Sequence, residues 1–296
     1  MNATAKGRSL LVLALASMVA MPAALAVTVT FSVAGANTAA IQPTVDSFRS
    51  SLGSLNPNTV GSVGSGRREI NWDGVPDSLA APNNLPGNFF NVNSPRGVVI
   101  NTPGTGLMVS ANAGLAPVEF GNINPSYPGL FAPFSAQRLF TPLGSNITDV
   151  SFFVPGTATA ALTNGFGSVF SNVSLSLATS LQFFDAFNAS LGTFYVPSIA
   201  GTETLSFLGV KFDDAIVARV RITSGTQILA AGNTASNLVV MDDWIYGEPI
   251  AAAGAATPDE GSTALLLGLA LAIMASVRRV GLVACTNPAR FFQRNR

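Results

Sequence analysis

Carboxylates, amide oxygens and aromatic rings are the groups of this sequence that could do chemistry. The chain of 296 residues contains no histidine and a single cysteine, Cys285. Without histidine, Ser-His-Asp and Cys-His nucleophiles and histidine-containing zinc sites are excluded. A single cysteine excludes an intramolecular disulfide and a cysteine-based metal site, so we expect the core, or a bound ion, to supply stability.

Three acidic residues surround Trp72 in the segment GRREINWDGVPD, residues 66–77. They are Glu69, Asp73 and Asp77. A pair of carboxylates is the acid and base of a glycoside hydrolase, and Trp72 could stack on a sugar. The segment is also rich in turn-forming residues, which favours a structural loop. We predict that the chain is not an enzyme, with a carbohydrate-active hydrolase at these acids as the alternative.

Five aspartates at the ends of expected strands form a candidate calcium site. Carboxylate and amide oxygens are the ligands that Ca²⁺ prefers. The alternative is that aspartates cap turns. Neighbouring residues on a strand point to opposite faces, so a pair of aspartates can share one site only where the strand bulges. The five residues are Asp185, Asp213, Asp214, Asp242 and Asp243.

Three aromatic residues with a polar atom are candidate sugar-binding residues: Trp72, Trp244 and Tyr246. Their flat rings can stack on a sugar while the N–H or O–H group forms a hydrogen bond. The same properties suit a residue in the core or at the rim of a sandwich. Both interpretations are open at this point.

Short apolar or alternating segments separated by Gly-, Pro- and Asn-rich turns predict the strands that must position these residues. One helix is expected at 41–52, with Asp46 and Arg49 exposed. Strands every 8 to 12 residues predict an all-β fold, an antiparallel β-sandwich over 27–250. The expected strands are 27–33, 98–101, 107–110, 149–154, 158–162, 166–170, 173–177, 181–184, 191–196, 205–212, 216–222 and 238–241.

The charge of the body argues against nucleic acid as a partner. Residues 27–257 hold eight Lys or Arg and thirteen Asp or Glu, a difference of −5. Nucleic-acid binding depends on basic side chains that neutralise phosphates. We therefore predict no nucleic-acid partner.

Residues 1–26 have the pattern of a secretory signal peptide. Lys6 and Arg8 form a basic start, a short apolar segment follows, and Ala24 and Ala26 supply the small residues of a cleavage site. We expect export across the inner membrane and cleavage after Ala26.

A second hydrophobic segment lies near the C-terminus. A linker of small residues, 251–257, leads to a polar turn and an apolar helix within 258–279. Arg278 and Arg279 close this helix and place its end on the cytoplasmic side. We therefore expect a transmembrane helix followed by a basic cytoplasmic tail, 280–296.

This tail resembles the PEP-CTERM sorting signal, in the variant that begins Val-Pro-Asp-Ser-Gly. Thr257 and Glu260 depart from that variant, and the chain continues beyond the arginines. The resemblance implies processing by an exosortase, a membrane-embedded cysteine peptidase, and delivery to the cell surface or extracellular matrix. The matching residues are Pro258, Asp259, Gly261, Ser262, Thr263, Arg278 and Arg279.

The body is also similar to domains that occur upstream of such tails. The similarity covers about residues 66–249 and includes LPGNFFNVNSPRGV, GFGSVF and MDDWIYGEP. It implies a jelly-roll type of sandwich and no established activity. We expect an exported structural or adhesive protein that associates with exopolysaccharide in a biofilm. The alternatives are the hydrolase and a Ca²⁺-stabilised surface domain without glycan binding.

Overall fold

The computed structural model describes residues 27–234 and 236–252. The expected signal peptide, most of the linker, the sorting motif with its helix, and the basic tail lie outside the described residues. Among the helices that are described, none is long and apolar enough to cross a membrane.

Antiparallel strands form most of the regular structure. Two α-helices, α1 (Thr38–Leu52) and α2 (Phe89–Val92), and two 3₁₀ turns, Asp77–Leu79 and Tyr127–Gly129, accompany them. The strands are β1 Thr28–Gly35, β2 Arg67–Ile70, β3 Val98–Asn101, β4 Gly106–Val109, β5 Phe140–Leu143, β6 Ile147–Phe152, β7 Ala161–Leu162, β8 Gly165–Ser171, β9 Ser180–Phe184, β10 Ser190–Tyr195, β11 Leu205–Phe212, β12 Arg219–Thr223, β13 Val240–Gly247 and β14 Ile250–Ala251.

These strands form two larger sheets with one core between them. The first sheet has the order β1-β11-β8-β13-β5-β4, and β2 also pairs with β13. The second sheet has the order β10-β9-β12-β6-β3, while β7 and β14 form a separate pair. Buried residues of both sheets, such as Phe166 and Tyr246 of the first and Phe152 and Phe183 of the second, belong to one cluster. The prediction of an all-β antiparallel fold is confirmed.

Helix α1 covers the outer face of the first sheet. The side chain of Asn37 accepts a hydrogen bond from the backbone N–H of Ala40 at 3.1 Å and caps the helix N-terminus. The apolar residues Ile41, Val45, Phe48 and Leu52 recur on one face, and all four are buried. The predicted helix is therefore confirmed and begins three residues earlier. The expected exposure of Arg49 is wrong, because its side chain is only 19% exposed.

A pair of glycines lets this helix approach the sheet closely. Gly209 on β11 and Gly167 on β8 are directly paired across the two strands. A Cβ atom at Gly209 would lie 2.8 Å from the Phe48 ring, and one at Gly167 would also lie 2.8 Å from it. The two glycines therefore form a flat surface on which the Phe48 ring packs.

The strand predicted at 173–177 is wrong. Asn172 at the end of β8 has φ 69°, and Leu177 has φ 60°. These left-handed conformations interrupt the extended backbone that an alternating sequence suggests. Val173 is buried, but Leu175 and Leu177 are 50% and 70% exposed, so the segment is a loop.

Replacing Gly209 with alanine should destabilise the protein by about 1–3 kcal/mol, because the new methyl group overlaps the Phe48 ring. Urea unfolding measures the change. Gly74→Ala is the matched control, because a Cβ atom there meets nothing within 4 Å. Equal stability of the two variants would contradict the close packing of α1.

Candidate functional site

The site is built around a bulge in β13. Met241 pairs with Phe170 of β8, but the next paired residues are Trp244 and Ser168, so β13 has one extra residue. Asp242 and Asp243 occupy this bulge, and both are buried. The bulge that two neighbouring aspartates need in order to share one site is therefore present.

Both aspartate side chains meet Ser135. The Ser135 Oγ lies 2.7 Å from Asp243 Oδ1 and 3.3 Å from Asp242 Oδ1. Asp242 Oδ2 also accepts the backbone N–H groups of Phe134 at 2.5 Å and Ser135 at 3.2 Å. The bulge thus fixes the 134–135 segment against the first sheet.

Of the two buried carboxyl groups, Asp242 favours its protonated form more strongly than Asp243 does. Burial raises the pKa of Asp242 well above its usual range, and the neighbouring Asp243 raises it further. Burial also raises the pKa of Asp243, while the Ser135 hydrogen bond and Arg49 oppose that rise. Because Arg49 and Ser135 favour the charged form of Asp243, a negative charge on the pair is more stable there than on Asp242.

Arg49 of helix α1 joins this pair to β2. Its Nη2 donates to Glu69 Oε2 at 2.9 Å and to Asp243 Oδ2 at 3.0 Å. Arg67 Nε donates to the other oxygen of Glu69 at 2.7 Å. The ion pairs connect three elements that are distant in sequence, α1, β2 and β13.

A cavity of about 430 Å³ opens to solvent beside these groups. We call it the polar cleft. Helix α1, the 54–66 loop, β2 with the residue after it, Arg96, the 134–135 segment and β13 surround it. Its lining residues are Gln42, Arg49, Leu55, Asn56, Asn58, Glu69, Asn71, Arg96, Phe134, Ser135 and Asp243.

A buried ion pair holds the 54–66 loop in place at the cleft. Arg68 and Glu248 are joined by two hydrogen bonds of 2.7 and 2.9 Å, and their side chains are 0% and 1% exposed. The guanidinium also donates to the carbonyl groups of Pro57 at 2.9 Å and Pro95 at 2.9 Å. Glu248 accepts the Asn56 amide at 2.9 Å. Removal of one partner of such a pair costs about 3–5 kcal/mol, because the other charge stays buried.

The prediction of sugar-stacking aromatic residues is wrong for Trp72, Trp244 and Tyr246. Trp72 is 1% exposed, and the other two are fully buried. Trp72 stacks on Phe140 with ring centroids 4.3 Å apart, and its Nε1 donates to the Asp242 carbonyl at 3.1 Å. A sugar platform needs an exposed face, whereas these rings form the core between the sheets.

The five aspartates of the predicted calcium site lie in three places. Asp185 accepts the backbone N–H groups of Phe187 and Ala189 within its own turn. Asp213 and Asp214 lie in the bend after β11, and the other pair lies in the β13 bulge. Within the described residues, no three His, Cys, Asp or Glu side chains come together in a way that could hold a metal ion. The geometry therefore contradicts a calcium site shared by these aspartates.

The three acidic residues near Trp72 also separate. Glu69 lines the polar cleft. Asp73 accepts the backbone N–H groups of Gln137 at 2.7 Å and Arg138 at 3.1 Å, and Asp77 pairs with the Arg138 guanidinium. Asp73 and Asp77 thus hold the loop structure, as the turn interpretation expected.

Sequence reasoning missed several residues of the cleft: Arg49, Asn58, Asn71, Arg96, Phe134 and Ser135. One signal was available for the centre of the site. Two adjacent aspartates within the apolar segment VVMDDWIYG cannot both face a core, so their presence indicates a bulge with polar partners.

No protein-family model and no curated protein matches this chain. One similar solved structure is a glycoside hydrolase family 43 arabinoxylan arabinofuranohydrolase from Bacillus subtilis in complex with cellotetraose. It has a TM-score of 0.25 and 17% identity over 47% of this chain and 24% of that chain. The enzymatically active domain of bacteriophage CBA120 tailspike protein 4 has a TM-score of 0.26 and 12% identity over 55% and 20%. At these TM-scores neither similarity supports an argument about fold or function.

Asp242→Asn should flatten the dependence of stability on pH. The folded protein keeps a proton that the unfolded chain releases above the ordinary pKa of 3.8, so the free energy of unfolding falls as pH rises towards the raised pKa of Asp242. Asparagine resembles the protonated side chain but does not titrate. We expect the fall, up to about 1.4 kcal/mol per pH unit, to be smaller in the variant.

Denaturant unfolding between about pH 4 and pH 8 measures this slope. The matched control is Asp213→Asn, which removes an exposed carboxylate. An unchanged slope in Asp242→Asn would contradict the raised pKa of Asp242.

Proposed function

We propose that this chain is an exported surface or matrix protein whose polar cleft binds a hydroxyl-rich glycan without cleaving it. The cleft itself supports this proposal. Its volume of about 430 Å³ is lined by amide, guanidinium, carboxylate and hydroxyl groups. Such planar donors and acceptors complement the hydroxyl groups of sugars.

Two asparagines of the cleft have unused hydrogen-bonding capacity. Asn58 and Asn71 are exposed, and their side chains make no hydrogen bond to the rest of the described chain. Each amide offers two donors and one acceptor. Leu55, which is 57% exposed, and Phe134 add an apolar surface for the C–H face of a sugar ring.

The carboxylates of Glu69 and Asp243 already accept hydrogen bonds from the protein, and this favours binding of a glycan over its hydrolysis. The oxygens of Glu69 accept N–H groups of Arg49 at 2.9 to 3.2 Å and of Arg67 at 2.7 Å. Asp243 is occupied by Arg49 and Ser135. A general acid or a nucleophile must reach the substrate directly, and the protein already uses these lone pairs.

A hydrolase is the second candidate because of one observation. Glu69 and Asp243 both contact the same nitrogen of Arg49, at 2.9 and 3.0 Å, so two carboxylates lie close together in one cleft. A pair about 5–5.5 Å apart is the arrangement of a retaining glycosidase. Release of reducing ends from a bound glycan, lost in Glu69→Gln and Asp243→Asn, would favour this candidate.

We propose the cellular location of the protein from its sequence. The resemblance of the tail to PEP-CTERM signals supports sorting by an exosortase to the cell surface or matrix. The resemblance of the body supports a jelly-roll type of sandwich. Together with the cleft, these features suit an adhesive protein that associates with exopolysaccharide.

Asn58→Ala and Asn71→Ala should each weaken binding of a glycan found on a polysaccharide array by about three- to tenfold, because each removes one or two hydrogen bonds. Their melting temperatures should stay unchanged, because neither side chain bonds to the described protein. Calorimetric titration measures the affinities.

The control variant is Asn83→Ala, an exposed asparagine outside the cleft lining. Unchanged affinity in both cleft variants would place glycan binding elsewhere on the protein. If the protein binds no glycan on the array, the proposal is contradicted.

A further inference from the structure

Arg96 differs from the other arginines that the structure describes. Each of the others forms at least one ion pair with an aspartate or glutamate: Arg49, Arg67, Arg68, Arg138, Arg219 and Arg221. Arg96 forms none within residues 27–234 and 236–252, although it lines the polar cleft. A partly buried cation without a counter-charge is unfavourable and needs a compensating interaction.

The surroundings of Arg96 leave most of its donors unused. Its guanidinium lies over the Phe90 ring, with the central carbon 5.3 Å from the ring centroid. Nη1 donates to the Ser94 hydroxyl, which is neutral, and Nε is buried without a hydrogen-bond partner in the part of the chain that the structure describes. A guanidinium has five N–H groups, so the Phe90 ring orients the cation while those of Nη2 have no hydrogen-bond partner among the described residues.

The remaining charges around the cleft compensate one another. Arg49 lies between Glu69 and Asp243, and Arg67 adds a second cation to Glu69. Asp46, the other carboxylate near Arg49, is 56% exposed and therefore screened by water. Among the described residues of the cleft, Arg96 is thus the charged side chain that has no oppositely charged partner.

We propose that the polar cleft selects an anionic sugar, whose acidic group binds the Arg96 guanidinium while its hydroxyl groups bind the cleft amides. This inference rests on the proposed glycan binding and goes further by naming the chemical class of the glycan. A uronate carboxylate and a sulfate ester both present two oxygens that match the guanidinium fork. Burial of Arg96 also lowers its pKa, with a smaller contribution from the cation of Arg68, and a bound anion opposes both effects.

The test compares pairs of ligands, one of which carries an anionic group that its neutral partner lacks. The full-length protein is titrated calorimetrically with oligogalacturonate, with its neutral methyl ester, and with a sulfated galactan and its desulfated form. The native protein should bind an acidic form at least about tenfold more tightly than its neutral partner, as one charge-assisted hydrogen bond implies. The ligand pair with the larger preference identifies carboxylate or sulfate as the acidic group.

Arg96→Gln should lose this preference and still bind the neutral glycan. Arg96→Lys should keep part of it, because the charge remains but the fork is lost. Arg221→Gln is the matched control, since this arginine pairs with Asp149 outside the cleft lining. If Arg96→Gln does not fold, Arg96→Lys decides, because the loss of the fork alone should weaken the preference.

Each outcome distinguishes this inference from the proposed function. Equal binding of acidic and neutral forms by the native protein overturns the anionic specificity and leaves glycan binding intact. A preference that is undiminished in folded Arg96→Gln, or in Arg96→Lys where the glutamine variant does not fold, overturns the role of Arg96. No binding of any glycan overturns both proposals.

Discussion

The buried carboxyl groups of Asp242 and Asp243 need polar partners, and the first sheet and the segments around it supply them. Buried carboxyl groups are stable only with hydrogen-bonding or charged partners. The bulge in β13 turns both groups towards Ser135, the 134–135 backbone binds one of them, and Arg49 binds the other. Because Arg49 lies on the helix whose Phe48 packs on the glycine pair, the packing of α1 also fixes the charge that stabilises the bulge.

The same strand ends at a second buried charge, Glu248, which pairs with Arg68. This pair contacts the carbonyl groups of Pro57, Gly61 and Pro95, and so it organises a loop that is rich in glycine, serine and asparagine. A loop of this composition has little apolar surface to bury and depends on such polar contacts. The position of the polar cleft therefore follows from two buried charge networks, one in the β13 bulge and one at Glu248, directly after β13.

The sequence predicted secondary structure best where the pattern of neighbouring residues determines it. The strands at 98–101 and 205–212, helix α1 and the hairpin around Asp185 agree with the expected segments, because periodicity and turn chemistry act over a few residues. The loop at 173–177 has strand-like alternation, but Leu177 and the preceding residue Asn172 adopt left-handed conformations. The predicted sugar residue Trp72 was wrong because indole rings suit a core as well as a platform. Arg49, Glu69 and Asp243 meet across separations of 20 and 194 residues, which no local pattern reveals.

We propose above all that this protein binds its ligand in the polar cleft. The most direct test is a titration of isotopically labelled protein with the array-selected glycan, followed through the side-chain amide signals of asparagine in NMR spectra. We expect the signals of Asn58 and Asn71 to shift first and furthest, while that of Asn83 stays in place. Shifts centred on the exposed face of the five-stranded sheet, with Asn58 and Asn71 unchanged, would contradict it.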